Sequence, residues 1–323
     1  MKYYLKEFYA KEKHAGSKAR LDAEKIMLEE GYQPFFQNND SNSITLTEND
    51  VLVLQFPLLW HSLKALILTK LLRKRQFKAY LLIHDIESLR NRSIKSFQDV
   101  KYAFLHFLQN KTVLERVDRI IAHNDKMKDV LVQLGIPEEK IISLEIFDYL
   151  IPDYEVKKTY EKRTVLLAGN FDIKKAKYAR QLPDNPEFSI FGINFEEENL
   201  PQNVHYKGAF SPEELPYYLE GGFGLVWDGD SPYTCSGMFG EYLKMNNPHK
   251  ASLYLASGFP IIVWRQSALS DFVTKNNCGI LVDSLFEIAE RLDSISNDEY
   301  EELIRNSKKI GDNIRNGHYL KVA

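Results

Sequence analysis

The sequence predicts an α/β fold of two domains, each built on a doubly wound parallel sheet. Three observations support this prediction. Apolar runs of strand length alternate with helix-like segments, each run ends in polar residues or glycine, and the alternation continues through both halves of the chain. Parallel strands that helices cover on both faces are apolar almost throughout, as these runs are. A chain of 323 residues is also long for a single hydrophobic core.

The predicted elements follow one another in a regular order. The apolar runs that predict strands are Val51–Pro57, Tyr80–Asp85, Arg119–Asn124, Ile142–Asp148, Thr164–Asn170, Phe188–Gly192 and Gly222–Asp230. The segments that predict helices are Ser17–Glu30, Ser62–Arg75, Ser96–Asn110, Asp125–Leu134 and Pro212–Glu220. Gly31 and Gly135 follow two of these helices, as glycine commonly does at a helix C-terminus.

One stretch between the two halves breaks the alternation. Residues Ile151–Arg163 are rich in charge, include a proline and lack the apolar period of an amphipathic helix. We interpret them as the linker between an N-terminal domain, residues 1–155, and a C-terminal domain, residues 156–323. In open α/β sheets, ligands bind outside the carboxyl ends of the strands. Two such sheets that face each other would therefore enclose a ligand in the cleft between them.

The segment NPHKASLYLASG (residues 247–258) predicts a helix whose N-terminus faces that cleft. Asn247 is a suitable N-cap, Pro248 fits the first helical position, and the final glycine stops the helix. Lys250 then lies in the first turn, where the helix macrodipole disfavours a cation by about 0.3–1 kcal/mol. A solvated surface lysine tolerates that cost, but a lysine beside free N–H groups also forms an anion site. The position at the cleft favours a phosphate site made by Asn247, His249 and Lys250.

Composition excludes several classes of protein. Hydrophobic residues make up 44% of the chain and aromatic residues 12%, which is too rich for a disordered protein. The two cysteines, Cys235 and Cys278, give neither a disulfide framework nor the spacing of a zinc site, and they suit a reducing compartment. The start of the chain lacks the apolar core of a signal peptide, and no run reaches the ~18 apolar residues of a membrane span. We therefore expect a cytoplasmic protein.

Charge gives a further exclusion and one alternative. The formal net charge is −3 and no nucleic-acid-binding motif is present, so nucleic acid is not an expected partner. A basic run at Thr69–Lys78 lies among leucines. It predicts either the solvent face of a helix with the turn that follows, or a peripheral contact with acidic lipid headgroups at the inner face of the plasma membrane.

Four stretches of the chain carry a resemblance to a known family. They are HAGSKARLDA (14–23), LLIHDIESLR (81–90), EIFDYL (145–150) and WDGDSPYTCSGMFGEYLKMNNPHKASLYLASGFPIIVW (227–264). The chain resembles, over nearly its full length, the bacterial β-1,6-galactofuranosyltransferases that build O-antigen and capsule repeat units. It is more distantly similar to the glucosyltransferases that extend glycans on streptococcal serine-rich adhesins.

The resemblance implies a GT-B fold, a UDP-sugar donor, an inverting reaction, and no metal or other cofactor. The leading hypothesis is transfer of galactofuranose from UDP-galactofuranose to a hexose of a lipid-linked oligosaccharide. The alternatives are a UDP-glucose-dependent glucosyltransferase that acts on a protein-linked glycan, and a non-catalytic GT-B module that binds glycans or a partner. The resemblance further suggests homo-oligomers and a last helix that packs back on the N-terminal domain.

The donor diphosphate is expected to meet cations from two segments. Lys250 and the helix start at Asn247–His249 are the first candidates. The resemblance adds the turn AGNFDIKK, from which Lys175 or Lys174 would reach the same phosphates. Gly169 and Asn170 would give this turn a tight backbone with exposed N–H groups. The alternative is an ordinary loop between a strand and a helix, with solvated lysines.

An inverting displacement needs a base that accepts the proton of the acceptor hydroxyl. His84 and Asp85 end a predicted strand of the N-terminal domain and face the cleft. We predict Asp85 as the base, by analogy with inverting sugar chemistry, and His84 as a residue that orients donor or acceptor. Asp85 as the N-cap of the next helix is the alternative. Glu87 and Asp228 are the reserve candidates for the base.

The segment DGDS (Asp228–Ser231) allows two interpretations. Its two carboxylates, one residue apart after an apolar strand, have the pattern of a DxD motif that binds Mg²⁺ or Mn²⁺ on a diphosphate. The segment lies late in the chain, however, in the second of two similar domains. We favour a loop in which Asp228, Asp230 and Ser231 contact sugar hydroxyls of the donor or the acceptor.

Three further residues are candidates for ligand contacts. Gly16 allows close approach of the backbone to a ligand, and Ser17 is a candidate N-cap of the first helix. The resemblance brings both of them near the donor or the acceptor. Phe210 lies where this fold holds the nucleotide base, so it is predicted either to contact uracil or to be a core aromatic residue.

Overall fold

The computed structural model describes residues 1–7, 15–35, 46–58, 72, 75–90, 111–156 and 160–323. The strands in these ranges form two six-stranded sheets, in which every pairing is parallel. The strands of the first sheet are β1 (Lys2–Leu5), β2 (Gln33–Phe35), β3 (Val51–Phe56), β4 (Lys78–Ile83), β5 (Arg119–Ala122) and β6 (Ile141–Ser143). Those of the second sheet are β7 (Tyr160–Asn170), β8 (Glu187–Ile193), β9 (Val204–Tyr206), β10 (Gly221–Val226), β11 (Ile261–Trp264) and β12 (Gly279–Val282).

The α-helices in the described ranges alternate with these strands. They are α1 (Ala15–Glu29), α2 (Glu87–Arg90), α3 (Asp125–Gln133), α4 (Ile173–Ala176), α5 (Leu215–Tyr218), α6 (Gly237–Tyr242), α7 (His249–Ala256), α8 (Leu269–Asn276), α9 (Ile288–Ser294), α10 (Asn297–Arg315) and α11 (His318–Val322). The predicted α/β fold with parallel sheets is thus confirmed. The predicted helices Ser62–Arg75 and Ser96–Asn110 lie outside the described residues, apart from residues 72 and 75.

The strand order explains where a ligand can bind. The first sheet has the order β2-β1-β3-β4-β5-β6, and the second has the order β12-β11-β10-β7-β8-β9. In the first sheet, β2 lies on one side of β1 and β3 lies on the other side. In the second sheet, β8 lies on one side of β7 and β10 lies on the other side. This reversal leaves a crevice at the carboxyl ends of β1 and β3, and of β7 and β10, which is where ligands bind in open α/β sheets.

The segment between the two sheets differs in part from the predicted linker. The predicted boundary at residue 155 falls between β6 and β7. Residues 160–163 are nevertheless strand, because β7 begins at Tyr160, which pairs with Gly221 of β10. The last four residues of the predicted linker therefore belong to the second sheet. The predicted end of the linker at Arg163 was therefore wrong, since an exposed strand end tolerates charged side chains.

The last helix of the described chain contacts residues of the first half. The Asp148 carboxylate accepts hydrogen bonds from the N–H groups of Tyr319 and Leu320, at 3.1 and 2.8 Å, in the first turn of α11. Lys321 forms an ion pair with Glu29 of α1 at 3.0 Å. These contacts tie α11 to the segment that follows the first sheet and to its first helix.

Half of the basic run Thr69–Lys78 lies outside the described residues. At the C-terminal end of the run, Phe77 is buried and Lys78 begins β4. In the part of the chain that the structure describes, no helix has the length and apolar character needed to cross a membrane.

Candidate active site

The carboxyl ends of the two sheets enclose a cleft of about 710 Å³ that residues of both halves line. Most of the predicted site residues lie in its wall: Gly16, Ser17, His84, Asp85, Gly169, Asn170, Lys175, Phe210, Asp228, Asn247, His249 and Lys250. Lys174, Asp230 and Ser231 do not line the cleft. The structure thus brings the predicted residues of the two halves to one place, as the strand pattern requires.

The helix that carries Lys250 starts one residue later than predicted. Pro248 is the N-cap residue, with extended backbone, and α7 begins at His249. The prediction of Asn247 as the N-cap is therefore wrong. The Lys250 ammonium donates to the Trp227 carbonyl and to Asp228 Oδ1, both at 2.9 Å. Burial lowers the pKa of Lys250, and the neighbouring Asp228 carboxylate opposes that change. Two acceptors hold the ammonium at the end of β10, so one of its three N–H groups is left for a ligand.

Asn247 connects the two domains instead of capping the helix. Its Nδ2 donates to the carbonyls of His123 and Glu145, at 2.7 and 2.8 Å. Its Oδ1 accepts from Asn124 Nδ2 at 2.7 Å, and its backbone N–H donates to His123 Nδ1 at 3.0 Å. The side chain is buried and engaged at both ends, so its predicted role at the phosphates is not supported.

Of the three predicted residues in the DGDS segment, Asp228 lines the cleft, whereas Asp230 and Ser231 do not. Asp228 is buried against Lys250, whereas Asp230 is exposed. The Ser231 hydroxyl accepts the backbone N–H of Tyr233 at 3.1 Å, which closes a local turn. The predicted sugar contacts of Asp230 and Ser231 are therefore wrong for the observed loop. Within the described ranges, no group of three or more His, Cys, Asp or Glu residues could hold a metal ion.

The AGNFDIKK turn is held close to the end of β8. Gly169 and Gly192 have φ angles of 148° and 149°, and a Cβ atom on Gly192 would lie 1.8 Å from the Gly169 carbonyl oxygen. Asn170 Oδ1 accepts from the Asp172 N–H at 2.9 Å and from Asn194 Nδ2 at 2.8 Å. The two strand ends therefore approach each other as closely as glycine allows, and they form one wall of the cleft.

The two lysines of this turn differ in position. Lys175 lines the cleft and is half-buried, and its ammonium has no ion-pair or hydrogen-bond partner among the residues that the structure describes. Its charge also lowers the pKa of Lys250, after the larger effect of burial. Lys174 is exposed and lies outside the cleft wall. The structure therefore selects Lys175 over Lys174 as the second cation of the site.

His84 is held by a hydrogen bond and by a stacked ring. Its Nε2 lies 2.7 Å from Gln55 Oε1, and its ring stacks on Phe147 with centroids 5.5 Å apart and an interplanar angle of 10°. Burial, and then the charge of Arg20, hold the pKa of His84 well below its usual value. The ring is therefore neutral at neutral pH.

Asp85 is engaged by a neighbouring guanidinium. Its Oδ2 accepts from Arg90 Nη1, and its Oδ1 is buried without a hydrogen-bond partner in the described part of the chain. Arg90 in turn lies over the Phe239 ring, 5.2 Å from its centroid. The carboxylate is already paired with the Arg90 guanidinium, which argues against Asp85 as the base. Glu87, a reserve candidate, is exposed outside the cleft wall.

His249 is also fixed by the other domain. Its Nε2 lies 3.2 Å from the Asp148 carbonyl, and its ring stacks on Tyr149 at 4.9 Å. Burial lowers the pKa of His249 to about 4, so this ring is neutral as well. Its Nδ1 is buried and has no partner among the described residues. His249 thus contributes an aromatic wall to the cleft, with no positive charge for phosphate at neutral pH.

Among the residues of the cleft wall that sequence reasoning missed are Arg20 and His123. Arg20 is buried on α1 and pairs with Glu7 at 2.9 Å. His123 follows β5, and burial lowers its pKa to about 3. A signal for Arg20 existed, because a charged residue on the apolar face of a helix needs a buried partner. His123 gave a weaker signal, since it stands in the polar tail of a predicted strand.

The remaining predicted residues, Gly16, Ser17 and Phe210, also line the cleft. Phe210 stacks on Tyr218 at 4.2 Å and is half-buried while it lines the cleft, so it combines the two predicted roles of packing and exposure to a ligand. Gly16 and Ser17 are in the first turn of α1, which begins at Ala15. Ser17 is therefore inside the helix, and its prediction as the N-cap is wrong.

Comparison with known proteins gives matches over both halves of the chain. Residues 2–146 match the model of the glucosyltransferase 3-like N-terminal domain, and residues 165–323 match that of the glucosyltransferase 3-like C-terminal domain. The β-1,6-galactofuranosyltransferase WbbI of Escherichia coli K12 is 36% identical over 85% of this chain and 78% of its own length. Glucosyltransferase 3 of Streptococcus gordonii is 27% identical over 76% of this chain and 69% of its own length.

Solved structures show the same architecture. Sucrose-phosphate synthase from Thermosynechococcus elongatus superposes with a TM-score of 0.61 at 13% identity, over 99% of this chain and 96% of that one. HepE of Anabaena, in complex with UDP and glucose, gives a TM-score of 0.56 at 12% identity, over 97% of this chain and 96% of that one. At such identities the likeness concerns the fold alone, and it confirms the predicted GT-B architecture.

Proposed function

Because the chain belongs to the glucosyltransferase 3-like family and is a glycosyltransferase with a GT-B fold, we propose that it transfers galactofuranose from UDP-galactofuranose to a hexose of a bacterial polysaccharide repeat unit. We propose inversion at the anomeric carbon. The higher identity to WbbI than to glucosyltransferase 3 of S. gordonii supports this choice of sugar. The observation that carries the proposal is one cleft with two lysines on one wall and a neutral imidazole on the other.

The lysine wall suits the leaving diphosphate. Lys250 is positioned by Asp228 and by the Trp227 carbonyl, and it keeps one N–H group for a phosphate oxygen. Lys175 lies within electrostatic range of Lys250 and has no partner of its own in the described residues. A diphosphate between them would relieve the repulsion of the two ammonium groups and would be stabilised as its charge increases on bond breaking. Since lysines supply this charge, we expect no metal requirement.

The imidazole wall suits proton transfer from the acceptor. The acceptor hydroxyl oxygen attacks the anomeric carbon, and the bond from that carbon to the phosphate oxygen breaks with its electron pair left on UDP. The hydroxyl proton moves to Nδ1 of His84. His84 is favoured over Asp85 because the carboxylate is paired with Arg90, whereas the ring bonds Gln55 through Nε2 alone.

Phe210 is proposed to contact the uracil, because its half-exposed ring lies at the cleft wall on the same half as the lysines. The acceptor is proposed to be an oligosaccharide carried on a lipid. A lipid-linked acceptor would bring the enzyme to a membrane surface, with the basic run Thr69–Lys78 as the proposed contact.

One second function has a specific observation in its favour. The match to both glucosyltransferase 3-like domains, and to glucosyltransferase 3 itself, supports glucose transfer from UDP-glucose to a protein-linked glycan. A non-catalytic module is less favoured. Such a module has no need for two lysines in its cleft, of which Lys250 is paired with Asp228 and Lys175 has no partner among the described residues.

The test is a donor panel. The purified protein is incubated with UDP-galactofuranose, UDP-galactopyranose and UDP-glucose, each with simple hexoside acceptors, in the presence and absence of EDTA. We expect turnover with UDP-galactofuranose alone, unchanged in EDTA, and a β-linked product by NMR. Turnover with UDP-glucose instead would favour the second function. Absence of UDP binding by calorimetry would contradict both.

A further inference from the structure

Gln55 is a polar residue in an otherwise apolar buried strand. It is the fifth residue of β3, whose sequence is VLVLQF, and it is 1% exposed. Burial of an amide is unfavourable unless its donor and acceptor ends are satisfied. Both ends of the Gln55 amide contact residues of the cleft wall. Its Nε2 donates to the Arg20 carbonyl at 3.3 Å, and its Oε1 lies 2.7 Å from His84 Nε2.

These two contacts determine which way the amide points. A carbonyl oxygen can only accept a hydrogen bond, so the Gln55 NH₂ group must face Arg20. The amide oxygen must then face His84, and it can only accept the proton that His84 Nε2 carries. The Nε2–H tautomer of His84 follows, which leaves a lone pair on Nδ1.

We propose that Gln55 is a positioning residue that holds His84 in the Nε2–H tautomer, so that Nδ1 is ready to accept the proton of the acceptor hydroxyl. The proposal rests on the proposed function for the role of Nδ1, but the tautomer itself is independent of it. Gln55 acts through His84 and does not line the cleft.

A comparison with the other two histidines of the cleft, His123 and His249, shows why the state of Nδ1 on His84 matters. The Nδ1 of His123 accepts the Asn247 N–H at 3.0 Å and is therefore occupied. The Nδ1 of His249 is unpartnered but enclosed in the protein. His84 differs from both. Its Nδ1 has no hydrogen-bond partner in the described residues, and it is not enclosed in the protein as the Nδ1 of His249 is. Because His84 also lines the cleft, we infer that its Nδ1 is the lone pair of the three rings that meets a substrate.

The groups around His84 keep its ring neutral until the reaction. Burial and then the charge of Arg20 on α1 oppose protonation of the ring, and the neighbouring rings, His123 after β5 and His249 on α7, are themselves neutral. The Asp85 carboxylate next to it is compensated by Arg90. The Gln55 amide oxygen therefore provides the nearby acceptor that stabilises the Nε2–H bond as Nδ1 takes up a proton.

Two substitutions separate positioning from folding. Gln55→Leu removes the acceptor, and Gln55→Glu restores an acceptor with a charge that favours the imidazolium. With ¹⁵N-labelled histidine, NMR should show Nε2–H in the wild type and in Gln55→Glu, and a mixture of tautomers in Gln55→Leu. We expect kcat to fall roughly 10–100-fold in Gln55→Leu with UDP affinity unchanged. In Gln55→Glu the acid limb of the kcat profile should move to higher pH.

A double-mutant cycle completes the test. If Gln55 acts through His84, Gln55→Leu should cause no further loss of kcat in a His84→Gln background. Additive losses, or an unchanged tautomer in Gln55→Leu, would overturn the proposal. Thermal unfolding of each variant controls for folding, and Gln55→Glu keeps the test decisive if Gln55→Leu is unstable. Failure of the proposed function is seen separately, as absence of galactofuranose transfer by the wild type, since the NMR measurement needs no turnover.

Discussion

The two walls of the cleft handle charge in opposite ways. On the N-terminal wall each charged group has a partner, Arg20 with Glu7 and Asp85 with Arg90, and the histidines are neutral. On the C-terminal wall Lys250 is paired with the Asp228 carboxylate, and Lys175 has no partner among the described residues. A GT-B cleft of this kind thus separates a wall suited to proton transfer from a wall suited to an anionic leaving group. The predictions on His84, Lys250 and Lys175 each alter one wall and leave the other as a control.

The largest effect is expected on the N-terminal wall. His84→Gln should lower kcat by roughly 10²–10⁴-fold, because it removes the group that accepts the proton, while UDP affinity stays unchanged. Asp85→Asn should have a much smaller effect, since Arg90 already engages that carboxylate. Steady-state kinetics with UDP calorimetry distinguish the two. A larger loss in Asp85→Asn than in His84→Gln would restore Asp85 as the base.

The next effect concerns the C-terminal wall. Removal of Lys250 should lower kcat/KM by roughly 10²–10³-fold, because the leaving diphosphate loses a positioned cation. Lys250→Met alone would leave Asp228 buried and unpaired, so the variant to measure is Lys250→Met with Asp228→Asn. Lys244→Met is the matched control, since its ammonium pairs with Glu241 outside the cleft wall. Equal kinetics for the double variant and the wild type would exclude the phosphate role.

A third prediction concerns the contact between α11 and the first half of the chain. Burial raises the pKa of Asp148 to about 7, so the folded protein keeps a proton that the unfolded chain releases near pH 3.9. Because the folded state binds more protons in this window, the stability that Asp148 contributes falls as the pH rises. Relative to Asp148→Asn, the wild type should lose about 2–3 kcal/mol of unfolding free energy between about pH 5 and pH 7. Urea unfolding at both pH values measures this difference, and a pH-independent difference would contradict it.

The smallest effect is expected for Lys175, which has no partner among the described residues. Lys175→Ala should weaken UDP binding about tenfold at low salt and less at high salt, because a half-exposed charge is partly screened. Lys174→Ala is the control on the same turn, since that side chain is exposed outside the cleft wall. An equal effect of the two substitutions would show that the turn contributes only general positive charge.

The comparison of the walls also shows how far sequence reasoning reaches. The place of His84 and Lys250 at the cleft was predictable because the carboxyl ends of parallel strands, and the helix starts that follow them, meet at one edge of a sheet, whereas Lys175 was added by the resemblance to a known family. Asp230 and Ser231 satisfied the same rule and were wrong, because the loop after β10 turns its later residues away from the cleft. The rule thus predicts the edge of the sheet but not the path of a loop.

Residues that act across the domain contact were not predictable from local pattern. Asn247 has the sequence context of an N-cap, yet its amide bonds His123 and Asn124 of the other domain. Gln55 was included in an apolar strand, and only the position of His84 shows what its amide does. The short strands β2, β9 and β12 were not predicted either.

The most direct test is calorimetric titration of UDP and of uridine into the wild type and into a variant without either ammonium of the lysine wall, Lys250→Met/Asp228→Asn/Lys175→Ala. We expect the wild type to bind UDP far more tightly than uridine, and the variant to lose roughly 100-fold or more in UDP affinity with uridine affinity unchanged. Equal UDP affinity for the two proteins would contradict the assignment of this wall to the diphosphate.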